Sequence, residues 1–345
     1  MIYRPLGQTN IQVSAICLGT MTWGQQNSQE EAFAQLDYAL SQGINFIDTA
    51  ELYAIPPKAE TYGKTETIIG NWLKERQCRD KIILASKVCG DTSWVPHIRQ
   101  GKSRLQRQDI QQAVDASLQR LQTDYIDLYQ VHWPQRQTNF FGRRGFSIQE
   151  DENWVSIAET IDALSELVQQ GKVRHIGISN ETPWGMMQYL KQADQGKERI
   201  VSIQNPYGLL NRLFEVGLSE MAMHEQVGLL AYSPLGFGVL SGKYLQDQQP
   251  ANARMTLFDN YRRYSSPQAQ QATEAYVHLA QQHGLSPSQM ALAFVHQQHF
   301  VTSTIIGATT MNQLKENIDS IYINLSDSVM QGIEEIHNTI PDPSP

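Results

Sequence analysis

Short apolar runs alternate with amphipathic stretches along most of the chain. The runs are a few residues long and rich in Ile, Val and Leu, which is typical of strands that are buried on both faces. Eight such strands are predicted, at residues 15–18, 46–48, 82–86, 126–131, 173–178, 201–203, 228–232 and 304–306. A hairpin-like stretch at residues 3–13 precedes them.

Between these strands, apolar residues recur at spacings of three and four, the period of an amphipathic helix. One helix is predicted to begin at the capping box of Ser28 and Glu31, to continue as a stripe from Phe33 to Leu40, and to end at Gly43. Similar stripes predict helices around residues 68–73, 110–121 and 157–168.

Regular alternation of strands and helices predicts an α/β fold with parallel strands. Eight units favour a closed (β/α)₈ TIM barrel, formed by residues 1–345 as a single domain, with an N-terminal hairpin. The stretches 134–155 and 235–267 are too long for plain connections and are expected to be lids or binding loops.

Composition narrows the classes of function. A net charge of −8 gives no reason to expect nucleic acid or an anionic membrane as a partner. Three widely spaced cysteines suggest neither a disulfide framework nor a zinc site, which favours a reduced, cytoplasmic protein. We find no signal-peptide pattern and no apolar run of about 20 residues, so no membrane span is predicted.

Ionisable residues follow three consecutive predicted strands. Asp48, Lys87 and His132 each fall at a strand end, and Tyr53 follows Asp48 by five positions. In a barrel these strand ends meet at one rim, where active sites lie. A phenol has an ordinary pKa of about 10; we expect the Lys87 ammonium to lower the pKa of Tyr53 and Asp48 to hold that ammonium in place.

Such a group can protonate a carbonyl oxygen while His132 orients it. Side chains carry no hydride, so a reduction would require a nicotinamide or a flavin. A second hypothesis is a Schiff-base aldolase, with Lys87 as a nucleophilic amine. With a single His and no second ligand nearby, the set is a poor metal site, and none is predicted.

These residues resemble the catalytic tetrad of the aldo-keto reductases, and the resemblance covers nearly the whole chain. The chain is most similar to the group that contains the potassium-channel β subunits. The resemblance implies a barrel, an NADPH bound in an extended form without a Rossmann domain, and reduction of small-molecule aldehydes and ketones with Tyr53 as the general acid. A third hypothesis, suggested by the channel-subunit likeness, is a regulatory module that senses NADPH with little turnover.

The resemblance also implies which residues contact NADPH. Those near the nicotinamide are Gly19, Thr20, Met21, Ser179, Asn180, Gln204 and the ring-stacking Tyr232. Those along the phosphates are Ser233, Pro234, Leu235, Gly236, Phe237, Gly238, Lys243 and Arg254. Those around the adenosine are Gly307, Thr309, Gln313, Glu316 and Asn317. Many relatives carry an Arg in this last turn, where this chain has Thr309-Thr310, which makes Arg254 the expected 2′-phosphate partner.

Two features depart from the family pattern or go beyond it. An insertion at residues 54–62 places a second Tyr-Gly pair at Tyr62, but the five-residue step from Asp48 favours Tyr53 as the acid. Aromatic residues that are expected to line the substrate mouth are Trp23, Trp94 and Trp133, together with the Phe140-Phe141 pair.

Overall fold

A computed structural model describes residues 1–148, 154–258 and 261–345. Its centre is a closed barrel of eight parallel strands in the order β10-β3-β4-β5-β6-β7-β8-β9. The remaining two strands, β1 and β2, form a separate antiparallel hairpin at the N-terminus. The (β/α)₈ barrel and its N-terminal hairpin, both predicted from the sequence, are therefore confirmed.

The elements follow one another as a barrel requires. The strands are Tyr3–Pro5 (β1), Gln12–Ser14 (β2), Ile16–Gly19 (β3), Phe46–Asp48 (β4), Ile83–Val88 (β5), Ile126–Val131 (β6), Val173–Ser179 (β7), Ile200–Pro206 (β8), Gly228–Tyr232 (β9) and Val301–Ile306 (β10). The helices are Gln29–Ser41 (α1), Lys64–Arg76 (α2), Arg107–Leu121 (α3), Ile157–Gln169 (α4), Pro183–Ala193 (α5), Phe214–His224 (α6), Arg254–Leu257 (α7), Pro267–Gln282 (α8), Pro287–His296 (α9), Met311–Asp319 (α10) and Asp327–Thr339 (α11).

Local signals fix several helix ends. The capping box of α1 is present, with the Ser28 hydroxyl accepting from the Glu31 backbone and the Glu31 carboxylate accepting in return. Helix α8 begins with Ser266 as its cap and Pro267 in its first turn, where a missing N–H is tolerated. The stretch 235–267 contains the short helix α7 in addition to loop, and residues 259–260 lie outside the described part of the chain.

Two layers of side chains fill the barrel. Phe46, Ala85 and Leu128 pack in its lower apolar layer together with Leu6 and Val13 of the hairpin, which lies across the N-terminal end. Side chains two positions further along a strand point to the same face. The next inward positions on β4, β5 and β6 therefore carry polar groups directly above this apolar layer.

Register brings these polar positions together. Asp48 pairs with Gly19 on one side and Ala85 on the other, and Lys87 pairs with Gln130. Ser179 pairs with Gln204 on the far side of the barrel. No helix within the described ranges has the length and apolar content that crossing a bilayer requires.

Candidate active site

Lys87 is the centre of a polar cluster at the C-terminal end of the barrel. Its Nζ atom donates to Asp48 Oδ2 at 2.6 Å and to the Thr49 carbonyl at 2.8 Å, and lies 3.5 Å from Tyr53 Oη. The Lys87 side chain has no exposed surface. A buried ammonium is stable only when it is paired and hydrogen-bonded, and Asp48 provides that pairing.

Asp48 is held by further donors from neighbouring strands. Its Oδ1 accepts from Gln204 Nε2 at 2.9 Å and from Gln130 Nε2 at 3.3 Å, and the Thr20 hydroxyl donates to its backbone carbonyl. Gln130 was not among the residues selected from the sequence. The signal was present, because Gln130 is a polar residue on the inward face of the otherwise apolar end of β6.

The pKa of Tyr53 moves opposite to the direction expected from the sequence. Burial raises the pKa of the phenol, and the nearby charge of Lys87 opposes this rise without overcoming it. Burial by itself would lower the pKa of Lys87, but the charges of Asp48 and Tyr53 raise it above its ordinary value. At neutral pH the site therefore holds a protonated phenol beside a charged ammonium.

His132 follows β6 and faces the phenol. Its ring lies edge-on to that of Tyr53, with 5.8 Å between centroids. Burial, followed by the charge of Lys87, places the pKa of His132 well below its ordinary value, so the imidazole is neutral. Its Nδ1 atom is buried without a hydrogen-bond partner among the described residues.

Tyr62, the alternative phenol, lies in a different environment. Its hydroxyl donates to Glu51 Oε2 at 3.3 Å, and the guanidinium of Arg120 lies 5.3 Å from its ring centre. The structure therefore brings Tyr53, and not Tyr62, to the ammonium of Lys87.

Residues from three strands converge beside this cluster. Asn180 donates from Nδ2 to the His132 carbonyl at 2.8 Å and accepts at Oδ1 from the Tyr232 hydroxyl at 2.6 Å. Ser179 Oγ donates to the Gln204 carbonyl at 2.7 Å. The Ser179 hydroxyl, the Asn180 amide and the Tyr232 hydroxyl are thus linked by hydrogen bonds at the rim.

The first barrel strand, β3, ends at Gly19, which pairs with Asp48. A Cβ atom on Gly19 would lie only 2.7 Å from Ile305 Cγ2, so the close approach of β3 and β10 requires glycine here. Met21 follows, and its sulfur lies 3.9 Å from Arg254 Nη1.

Two cations, Lys243 and Arg254, follow Tyr232 along the chain. The segment 233–238 turns tightly, with positive φ at Ser233, Gly236, Phe237 and Gly238, and a 3₁₀ turn follows over Gly236–Ser241. Burial and the charge of Arg254 both lower the pKa of Lys243. Within the described residues neither cation forms an ion pair with a carboxylate. Two neighbouring cations without an anion form a suitable site for phosphate.

Arg254 lies among aromatic side chains. Its guanidinium lies 5.1 Å from the Phe237 ring centre, which places it beside the segment 233–238. Burial lowers the pKa of Arg254, and nearby phenols, among them Tyr53, oppose this decrease. The charge of Arg254 in turn acts to lower the pKa of Tyr53.

The residues expected around the adenosine form a connected turn. Gln313 Oε1 accepts from the Thr309 backbone at 3.0 Å and from its hydroxyl at 3.1 Å. Asn317 donates to the Gly307 carbonyl, and Glu316 accepts from the Ser286 hydroxyl. Gly307 is open to solvent, since a Cβ atom there would meet nothing within 4 Å.

The three tryptophans occupy different environments. Trp94 is 53% exposed, and its ring centre lies 5.5 Å from that of Trp133, which packs against His132 at 4.8 Å. The ring of Phe141 lies 6.0 Å from that of Trp133 on the other side. Trp23 and Trp133 are both buried, with their indole N–H groups directed to Gln35 and to the Asp91 carbonyl, so of the three only Trp94 is exposed at the candidate substrate mouth.

The two insertions also differ. Residues 54–62 form a loop that is closed by the Gly63 backbone N–H, which donates to the Tyr53 carbonyl at 2.9 Å. Tyr62 of this loop packs on the same apolar cluster as Tyr53. Of the second insertion, 134–155, residues 149–153 lie outside the described part of the chain. Its beginning is fixed by Arg136, which forms two hydrogen bonds with the Glu181 carboxylate at 2.7 and 2.6 Å.

Comparison with known proteins agrees with this architecture. The family model described as "Aldo/keto reductase family" matches residues 15–338. Protein tas of Escherichia coli strain K12 is 54% identical over 346 aligned residues, which cover 100% of both chains. The uncharacterized oxidoreductase YrpG of Bacillus subtilis strain 168 is 33% identical, with 97% of this chain and 96% of its own covered. The L-glyceraldehyde 3-phosphate reductase of Escherichia coli strain K12 is 31% identical, with 93% and 88% covered.

Proposed function

Because the chain belongs to the aldo/keto reductase family, we propose that this oxidoreductase reduces aldehyde and ketone carbonyls to alcohols in an NADPH-dependent reaction. Tyr53 is the proposed general acid, and Asp48, Lys87 and His132 are its proposed partners. The observation that carries this proposal is the contact of 3.5 Å between Lys87 Nζ and Tyr53 Oη within a buried cluster.

The protonation states support this assignment. A phenol whose pKa is raised by burial keeps its proton at neutral pH and can donate it to the oxygen of a carbonyl. The ammonium of Lys87 stabilises the phenolate that remains after the proton leaves. Asp48 holds the ammonium in place, so the positive charge is present before the substrate arrives.

His132 is the proposed orienting group. A neutral imidazole donates one hydrogen bond without competing as an acid, and its edge-on contact with Tyr53 places it beside the phenol. The carbonyl oxygen would then lie between the Tyr53 hydroxyl and the imidazole. Trp94, which is exposed, is proposed to contact the rest of the substrate at the mouth.

NADPH is the proposed cofactor. The amides of Asn180 and Gln204 and the hydroxyl of Ser179 are the proposed partners of its carboxamide, and the ring of Tyr232, held by Asn180, is the proposed stacking surface. Lys243 and Arg254 supply positive charge for the phosphates. When bound, the nicotinamide supplies the hydride that side chains lack.

The protonation of Lys87 disfavours the Schiff-base alternative. A nucleophilic amine must be neutral, whereas Asp48 and Tyr53 raise the pKa of this ammonium. Steady-state rates distinguish a reductase from a sensor that binds NADPH with little turnover.

The experiment is an NADPH-oxidation screen of the purified protein with aldehydes, ketones and quinones. Lys87→Met is the matched control, because it keeps the volume of the side chain and removes its charge. The proposal requires turnover of at least one carbonyl compound by the wild type and its loss in Lys87→Met. NADPH binding without turnover of any compound would favour the sensor.

A further inference from the structure

A buried ion pair lies directly behind the proposed general acid. Glu51 precedes Tyr53 by two residues, and both of its carboxylate oxygens accept from Arg99, each at 2.7 Å. The Glu51 side chain has no exposed surface, and that of Arg99 is 8% exposed. Bidentate pairs of this kind fix both distance and orientation.

The same carboxylate is tied to the strand that carries Lys87. Its Oε1 atom accepts from the Cys89 backbone at 2.7 Å, and the Glu51 backbone N–H donates to the Lys87 carbonyl at 3.3 Å. Glu51 therefore connects the segment that leads to Tyr53 with Lys87 and Cys89 at the end of β5.

Tyr62 links the inserted segment to this carboxylate. Its hydroxyl donates to Glu51 Oε2. The segment 54–62, which begins directly after Tyr53, is therefore held at its last residue by Glu51. Burial alone would raise the pKa of Glu51, but the hydrogen bonds and charge of Arg99 and the Cys89 N–H lower it. The carboxylate is charged at neutral pH.

From this geometry we infer that the Glu51–Arg99 pair is a positioning device that holds the Tyr53 hydroxyl against Lys87. Neither residue touches the reacting atoms. Arg99 comes from a turn at Arg99–Gly101, outside the tetrad strands, and it acts on Tyr53 through the carboxylate two residues away. This inference rests on the proposed function, since it assigns a role within the same site.

The chain offers a control at the opposite end of the barrel. Arg79 donates to the buried carboxylate of Asp127 at 2.7 Å, near the N-terminal ends of β5 and β6, and Asp127 also accepts from Arg174 at 3.0 Å. Arg79→Met and Arg99→Met each remove one guanidinium from a buried carboxylate, so both are expected to lower the melting temperature. Only Arg99→Met disturbs the segment that carries Tyr53.

The test compares kcat, KM, the NADPH dissociation constant and the melting temperature of these variants. Arg99→Met is expected to lower kcat by about 10- to 100-fold, because a misplacement of about 1 Å can cost 10²-fold in rate. NADPH affinity should change by less than about twofold, and the deuterium isotope effect on kcat should rise as the chemical step slows. Arg99→Lys, which keeps the charge, should recover part of the lost rate, and Arg79→Met should retain the wild-type kcat.

A kcat for Arg99→Met within twofold of the wild type overturns the inference, as does an equal loss in Arg79→Met. Should Arg99→Met fail to fold, the near-isosteric Glu51→Gln replaces it with the same expectations. A crystal structure of the variant gives a readout that does not depend on turnover, with Tyr53 Oη expected to lie farther from Lys87 Nζ than in the wild type. An unmoved Tyr53 contradicts the inference even if the wild type turns over no carbonyl. The lack of wild-type turnover would by itself reject only the proposed function.

Discussion

The Nζ atom of Lys87 lies 3.5 Å from the Oη atom of Tyr53, and both side chains are buried at the barrel rim. Burial raises the pKa of the phenol, and the ammonium moderates that rise. The pair therefore holds one proton on oxygen and one positive charge beside it at neutral pH. This is the state that a proton donor to a carbonyl needs before the reaction begins.

The first prediction concerns the pH dependence of carbonyl reduction. The pKa of Tyr53 is above its ordinary value of about 10, so the proton-donating form persists through neutral and mildly alkaline pH. The pKa of His132 is well below its ordinary value, so the imidazole adds no titration near pH 6.5. We expect kcat to be flat between about pH 6 and 9; a loss of rate through pH 7–8 would contradict these protonation states.

The second prediction concerns the choice of cofactor. NADPH should bind more tightly than NADH, because Lys243 and Arg254 form no ion pair with a carboxylate among the described residues and can pair with an added phosphate. A charge-assisted hydrogen bond is worth about 1.5–3 kcal/mol, so Arg254→Ala should weaken NADPH binding by roughly 10- to 100-fold and narrow its advantage over NADH. Fluorescence titration of both cofactors measures this, and equal affinities in the wild type would refute the role of these cations.

The contacts of Arg254 add a control to that titration. The charge of the guanidinium also acts on the pKa of Tyr53. Arg254→Ala should therefore alter kcat as well as NADPH affinity, and Lys243→Ala should act mainly on affinity.

Part of this site could be predicted from sequence because it follows from a simple period. Side chains alternate along a strand, so Asp48 and Lys87 had to share the inner face and the same rim once the barrel closed. The direction of the Tyr53 pKa could not be predicted, because it depends on how completely the phenol is buried. The burial of Trp23 and Trp133 could not be predicted for a similar reason, since an aromatic residue after a strand can face either the mouth or the core.

Contacts between residues that are far apart in the sequence could not be predicted either. The sequence places Glu51 next to the tetrad, but nothing in its spacing indicates that Arg99, 48 residues away, completes its ion pair. The role of Gln130 could not be predicted either, because a polar residue in a mostly apolar strand has many possible explanations.

The third prediction concerns Tyr232. Its hydroxyl is held by Asn180, and its ring lies next to the residues expected to bind the carboxamide. Tyr232→Ala should weaken NADPH binding and loosen the facial selectivity of hydride transfer, whereas Tyr232→Phe should keep the selectivity because the ring remains. Stereospecifically deuterated NADPH measures this, and complete selectivity in Tyr232→Ala would argue against a stacking role.

The fourth prediction concerns acid stability. His296 is buried between the hydroxyls of Thr304 and Ser320, and burial lowers its pKa to about 3. The unfolded chain takes up this proton below about pH 6.5 while the folded chain does not, so stability is lost as the pH falls from about 6.5 towards 3.

Between pH 6.5 and 5 this histidine alone should cost the wild type about 2 kcal/mol of unfolding free energy. His296→Gln should be less stable than the wild type at neutral pH but should lose less on acidification. Urea unfolding at several pH values measures both, with the exposed His283→Gln as the control. Identical acid dependence in the wild type and His296→Gln would show that another group is responsible.

The fifth prediction separates the two phenols. The Tyr53 proton is needed as the carbonyl becomes an alcohol, whereas the Tyr62 hydroxyl serves a hydrogen bond to Glu51. General acid catalysis contributes about 10²–10⁴-fold. Tyr53→Phe should therefore lose at least about 10²-fold in rate, while Tyr62→Phe should retain most of the wild-type activity.

The most direct measurement is the single-turnover rate of carbonyl reduction at saturating NADPH for Tyr53→Phe and Tyr62→Phe, with NADPH affinity determined in parallel. Tyr53→Phe should bind NADPH as the wild type does and reduce the carbonyl at least about 10²-fold more slowly than Tyr62→Phe. A slow Tyr62→Phe beside an active Tyr53→Phe would contradict the assignment of Tyr53 as the general acid.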